Sequence, residues 1–201
     1  IALMFMQLTA CSVFPSSNSQ LVHLQFKEPH RISFQGKGAG AGIALMATMG
    51  PVGIALGVAI DEGIAKDIRK AMAKEEDEVM IYLKDQISRS LVKQGYSVST
   101  TNQPSKDKSS KEVTYPKLVI KRVGFKITNG STDATAAEWA VELHLGPDEK
   151  STVNYPKDFE KNSIKTYVLA DLKVNGELGV QLISESLQKV TDVIALKINQ
   201  I

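Results

Sequence analysis

From Gly38 to Ile60 the chain reads GAGAGIALMATMGPVGIALGVAI, about 23 residues with six glycines and no charge. No other stretch restricts the fold so tightly. A bilayer core takes roughly 20 apolar residues in a helix, and this run is long enough. Glycine is about 1 kcal/mol poorer than alanine inside a helix, so six of them weigh against an ordinary helix in water. They suit helices whose backbones approach closely. Gly53 and Gly57 stand four apart, as do Ala55 and Ala59, and Gly63 continues the second row. Gly42, Met46 and Gly50 form a further, weaker row. These rows predict a segment that packs against other helices, including those of a second copy, making a homo-oligomer.

Gly50-Pro51 lies at the centre of the run. Proline lacks an amide donor and disfavours helix in the residue before it. Two geometries follow: a kinked helix that spans the bilayer, or a hairpin of two short helices. Each arm of a hairpin would be some 15 to 18 Å long, too short for a roughly 30 Å core. Such a hairpin would dip into one leaflet or be buried against the protein itself. Lys37 closes one end of the run, and Asp61 and Glu62 close the other. Lys66, Arg69, Lys70 and Lys74 follow, a group placed either for anionic headgroups or for a salt-bridged solvent face.

The lone cysteine, Cys11, sits in Leu8-Thr9-Ala10-Cys11-Ser12. The apolar residues Ile1 to Met6 precede it, and a Ser/Pro/Asn-rich stretch follows. An apolar region with a small-residue cleavage zone is the end of a signal peptide. The pattern resembles the lipobox of bacterial, Gram-negative lipoproteins. That resemblance implies cleavage before Cys11, a thioether-linked diacylglycerol on its sulfur and an N-acyl chain such as palmitate. Ser12, in place of aspartate, implies sorting to the cell outer membrane. Residues 1–10 are then a signal-peptide remnant and 11–20 a lipidated tether.

Hydrophobic content of 43% and charged content of 23% are those of a globular chain. A net charge of +2 gives no broad nucleic-acid footprint. One cysteine allows no internal disulfide. Residues 21–35 predict one or two N-terminal strands, 36–63 the glycine-rich segment and 64–201 an α+β body. Leu21 to Glu28 alternates as a strand does, and Arg31 to Phe34 suggests a second. Asp61 to Gln94 is helical in pattern, with Val79, Leu83, Ile87 and Leu91 as its stripe and Gly95 as its stop. Strands are expected over 96–101, 117–128, 136–145 and 163–174, with polar loops at 102–114 and 151–162. Asn175 caps a final helix whose face is Ile183, Leu187, Val190, Ile194, Ile198 and Ile201. Runs of strands between helices predict α+β: an antiparallel sheet of about four to five strands packed with two helices.

Residues 84–99, a helix ending in Lys-Gln-Gly-Tyr before a strand, resemble the same unit in TraT-type outer-membrane lipoproteins. Those proteins also carry a lipobox and a glycine-rich apolar segment, which there follows the Gly-Tyr strand and here precedes it.

Catalytic patterns are missing from the sequence. His23, His30 and His144 lack metal-ligand spacing. Gly36-Lys37-Gly38-Ala39-Gly40 does not complete a dinucleotide fingerprint, and there is no Walker lysine. Glu75, Glu76, Asp77 and Glu78 have helical spacing, which reads as a solvated face rather than a cation loop. The expectation is a non-enzymatic outer-membrane lipoprotein with no metal and no cofactor beyond the lipid on Cys11. Its partners would be membrane lipid and further copies of itself. An accessory role beside an envelope transport or secretion protein, or an envelope ligand-binding domain, is the alternative.

Overall fold

The computed structural model describes residues 20–26, 31–72, 76–100 and 116–200. Among the described residues the fold is α+β, a mixed sheet of seven strands with five helices. In chain order the strands are β1 (Leu21–Phe26), β2 (Ile32–Gln35), β3 (Ser97–Thr100), β4 (Lys117–Asn129), β5 (Ala134–His144), β6 (Lys150–Tyr155) and β7 (Tyr167–Val168). The helices are α1 (Lys37–Met49), α2 (Pro51–Met72), α3 (Glu76–Lys93), α4 (Leu169–Val174) and α5 (Gly176–Ile198).

The sheet runs β3-β1-β4-β5-β6, with β2 on β4 and β7 on β5. β1 is parallel to both its neighbours, and β2 is parallel to β4. The pairs β4–β5, β5–β6 and β5–β7 are antiparallel. The expected all-antiparallel sheet of four to five strands with two helices is therefore corrected. The N-terminal strands reach β4 only after the helical excursion α1–α3, and that crossover brings them in parallel. β1 and β2 share the β4 side of one sheet with the body, and α2 runs through position 63/64.

The strands expected over 117–128 and 136–145 form as β4 and β5, with the alternation of β4 broken once near its middle. A register shift between Ile120 and Arg122 places Lys121 and Arg122 both outward, while Ile120 and Val123 stay buried. The core joins Leu118, Ile120, Trp139 and Val141 of the sheet to Ile87 and Leu91 of α3 and to Leu187, Val190 and Ile194 of α5. The buried indole of Trp139 donates to Ser186 Oγ at 2.8 Å, so its polar atom is satisfied inside that core. Asn175 caps α5 as expected, its side chain accepting from Glu177 N. Ile183, Leu187, Val190, Ile194 and Ile198 are buried. Tyr96 donates to Asn199 at 2.8 Å and ties the end of α5 to the start of β3.

Two local expectations are overturned. Residues 163–174 form a two-residue strand and then α4, because Leu169 and Leu172 are buried at a spacing of three rather than two. Residues 151–155, within the loop expected at 151–162, pair with β5 and bury Val153 and Tyr155.

Candidate membrane interface

The apolar run folds as a hairpin. Gly36 takes φ +132, a backbone conformation open to glycine, and turns the chain from β2 into α1. Helix starts carry unsatisfied N–H groups, and α1 has no side-chain cap from its own N-cap residue. Asp61, on α2, supplies the acceptors. Its Oδ2 takes the N–H of Gly36 at 3.2 Å and its Oδ1 that of Gly38 at 2.6 Å. A carboxylate there also complements the helix dipole.

At the far end Gly50 adopts φ +57, and its N–H donates to Met46 O at 2.9 Å. Pro51 opens α2 at the position where a missing N–H does least harm. Gly53 N–H then donates to Gly50 O at 3.0 Å. The kinked spanning helix is thus excluded in favour of the hairpin. No described helix is long and apolar enough to cross a membrane.

The glycines do their work between the two arms. A Cβ on Gly38 would fall 1.7 Å from Gly57 O, and one on Gly53 would fall 2.5 Å from Leu45 C. Gly53 and Gly57 are buried in this contact. The row expected to meet a second copy is therefore turned inward against α1. Ala55 and Ala59 remain exposed, Gly50 forms the turn and Gly42 lies within α1.

Everything else on the distal hairpin faces outward. From Pro51 to Ile60 every residue except Gly53 and Gly57 is exposed, and from Ile43 to Met49 every residue except the half-buried Leu45. The large ones are Ile43 (72%), Met46, Met49, Val52 (57%), Ile54, Leu56, Val58 (66%) and Ile60. The one hydroxyl among them, on Thr48, donates to Leu45 O at 3.1 Å.

Below Asp61 the helix joins the body. Ala65 and Ile68 are buried, and Arg69 is only 8% exposed. Its guanidinium donates to Ile32 O at 2.8 Å and to Glu62 at 2.7 Å. Arg69 is therefore removed from the expected headgroup contacts, because it serves as an internal tie between α2 and β2. Lys37 pairs with Asp133 at 2.5 Å, and Asp67 with Lys173 at 2.8 Å. The hydrogen bond and charge of Lys173, then the charges of Lys70 and Lys66, hold the Asp67 carboxyl below its ordinary value. Lys66 and Lys70 are exposed. Lys74, Cys11, His30 and the side chains of Glu75 to Glu78 lie outside the described residues.

By position in the sequence Asp61 is a boundary charge and Arg69 a surface charge. Both partner backbone far away in sequence, and no local pattern announces that. Elsewhere the chemistry is sparse. Among the described residues no group of three His, Cys, Asp or Glu side chains comes together to hold a metal. His144 pairs with Glu142 at 2.5 Å, and His23 is half-buried in β1. The apolar void between the sheet, α3 and α5 holds about 10 Å³, at most room for one water. On the sheet, Arg122 donates to the buried Glu138 at 3.3 Å. Burial raises the Glu138 carboxyl above its ordinary value, with the charge of Arg122 opposing. No family model matches this chain, and no curated protein matches it.

Proposed function

We propose that this chain is a non-enzymatic outer-membrane lipoprotein, anchored through lipid on Cys11, whose apolar hairpin adds a second contact with the membrane. The observation that carries the reading is the set of eight large apolar side chains exposed on the hairpin. Monomeric proteins in water rarely leave a contiguous patch of that kind uncovered. Fully burying one such side chain is favourable by about 1.5–3 kcal/mol, so a few of them suffice to hold a protein at a bilayer. Copies would meet through Ala55 and Ala59, the small residues left on the outer side of α2.

The test is flotation with phospholipid vesicles. The chain carrying Cys11→Ser should still float, because the hairpin remains. Adding Ile43→Asp and Val58→Asp should leave it in the dense fraction with unchanged Trp139 fluorescence. Flotation that survives all three substitutions would exclude the hairpin as a membrane contact. An intact mass showing an unmodified thiol on Cys11 in protein extracted from membranes would exclude the anchor.

A further inference from the structure

We infer that the hairpin enters one leaflet only, as a wedge whose tip is Met49-Gly50-Pro51 and whose base meets phospholipid phosphates through Lys66 and Lys70. The inference rests on the membrane reading above and fixes its geometry.

Length comes first. The 13 residues of α1 rise about 20 Å, and Pro51 to Ile60 rise about 15 Å. Half of a hydrocarbon core is about 15 Å and the whole about 30 Å. The arms fill one leaflet and stop.

The distribution of exposed residues favours lipid over protein. A helix that docks on another protein presents one face. Here α2 is exposed from Pro51 to Ile60 on all sides but the Gly53–Gly57 seam, and Ile43, Met46 and Met49 continue the apolar surface onto α1. Acyl chains can cover such a surface all round. Three polar groups near the tip are closed internally: Thr48 on Leu45 O, and the Gly50 and Gly53 amides on Met46 O and Gly50 O. This is what hydrocarbon demands of a backbone.

Charge marks the base. Asp61 is occupied by the amides of Gly36 and Gly38, and Glu62 by Arg69. The next exposed charges outward from the apolar zone include Lys66 and Lys70, one turn apart on α2. Side chains on a helix lean toward its N-terminus, which here is toward the tip, so the stems of both lysines favour reaching back toward the phosphates.

The experiment uses the full chain with Cys11→Ser and one new thiol. Met49→Cys or Lys66→Cys, each carrying an environment-sensitive dye, is mixed with vesicles of phosphatidylethanolamine and phosphatidylglycerol. The dye at Met49→Cys should shift to the blue and be quenched most by lipids brominated near the chain ends. The dye at Lys66→Cys should be quenched most by bromine near the headgroup. Unlabelled Met49→Cys should resist an impermeant maleimide supplied outside and one trapped inside. Lys66→Glu with Lys70→Glu should reduce flotation on these vesicles to the level seen with pure phosphatidylcholine, and unchanged flotation would overturn the headgroup contact. Reaction of Met49→Cys with the trapped maleimide would overturn the single-leaflet geometry while leaving membrane contact standing. A chain that does not float would overturn both, and protection of Met49→Cys in a water-borne oligomer would name a second copy as the occupant.

Discussion

The carbonyl oxygen of Gly57 lies 1.7 Å from the point where a Cβ on Gly38 would stand. The two arms of the hairpin therefore meet backbone to backbone, and no larger residue fits at Gly38.

Gly38→Ala or Gly53→Ala should push the arms apart. Overpacking typically costs about 1–3 kcal/mol, and here the obstacle is backbone that cannot rotate away. Hydrogen exchange in α1 should accelerate, while thermal unfolding of the body, followed at Trp139, should change little. Gly63→Ala is the control. Nothing lies within 4 Å of its Cβ position, and removing a helical glycine should add about 1 kcal/mol.

The hairpin should also be dispensable to the body. Gly38 N and Asp61 Oδ1 are 2.6 Å apart, so the chain ends left by removing residues 38–60 are neighbours that a short glycine-serine linker can join. Such a protein should unfold cooperatively, with a midpoint close to that of the full chain, and should lose vesicle binding. A product without a cooperative transition in calorimetry would place the hairpin within the folding unit.

Arg69 is the opposite case. Arg69→Met would take this donor from the carbonyl of Ile32 and release the exposed carboxylate of Glu62 to water, a loss of about 1–3 kcal/mol that comes mainly from the carbonyl. Arg69→Lys should recover only part of it, since one ammonium lacks the fork that reaches both acceptors. Urea unfolding followed by tryptophan fluorescence reads the difference.

Two sets of carboxylates should pull the pH profile in opposite directions. Glu138 is raised by burial, so the folded protein holds that proton more tightly than the unfolded chain. Its contribution is present below the ordinary carboxylate value and is lost as pH climbs through the raised one. Glu185 is lowered by its hydrogen bond to Lys165, and Glu142 by that to Lys121, so they stabilise above the ordinary value and lose this as pH falls. Glu138→Gln should therefore be more stable than wild type near neutrality and lose that advantage in acid. Equal denaturation midpoints across the range would show that burial does not govern Glu138.

Much of this architecture can be read from the chain. Asn175 and the spacing of Ile183, Leu187, Val190 and Ile194 announce α5, and the alternations around Val123 and Trp139 announce β4 and β5. Gly50-Pro51 marks the bend of the hairpin. Strand direction is different, because parallel and antiparallel strands share the same period-two pattern. Nothing in Leu21–Phe26 states that its neighbours are Ser97–Thr100 and Lys117–Ile120. Lys150–Tyr155 stays hidden because Val153 and Tyr155 are its only apolar residues. The glycines of the hairpin signal close packing, but the partner, α1 instead of another chain, depends on a turn whose geometry the residues alone leave open.

The position of β1 has a mechanical consequence. β1 carries hydrogen bonds to β3 on one side and β4 on the other, and it begins at Leu21, directly after the segment proposed to lead to the lipid. A pull directed along the axis of this strand would load both ladders together. Such a load shears two ladders at once instead of unzipping one bond at a time. An anchor attached to an edge strand would peel away under far less force. With lipid on Cys11 as proposed, the body would be held by a strand in the interior of its sheet, an attachment suited to staying folded under load.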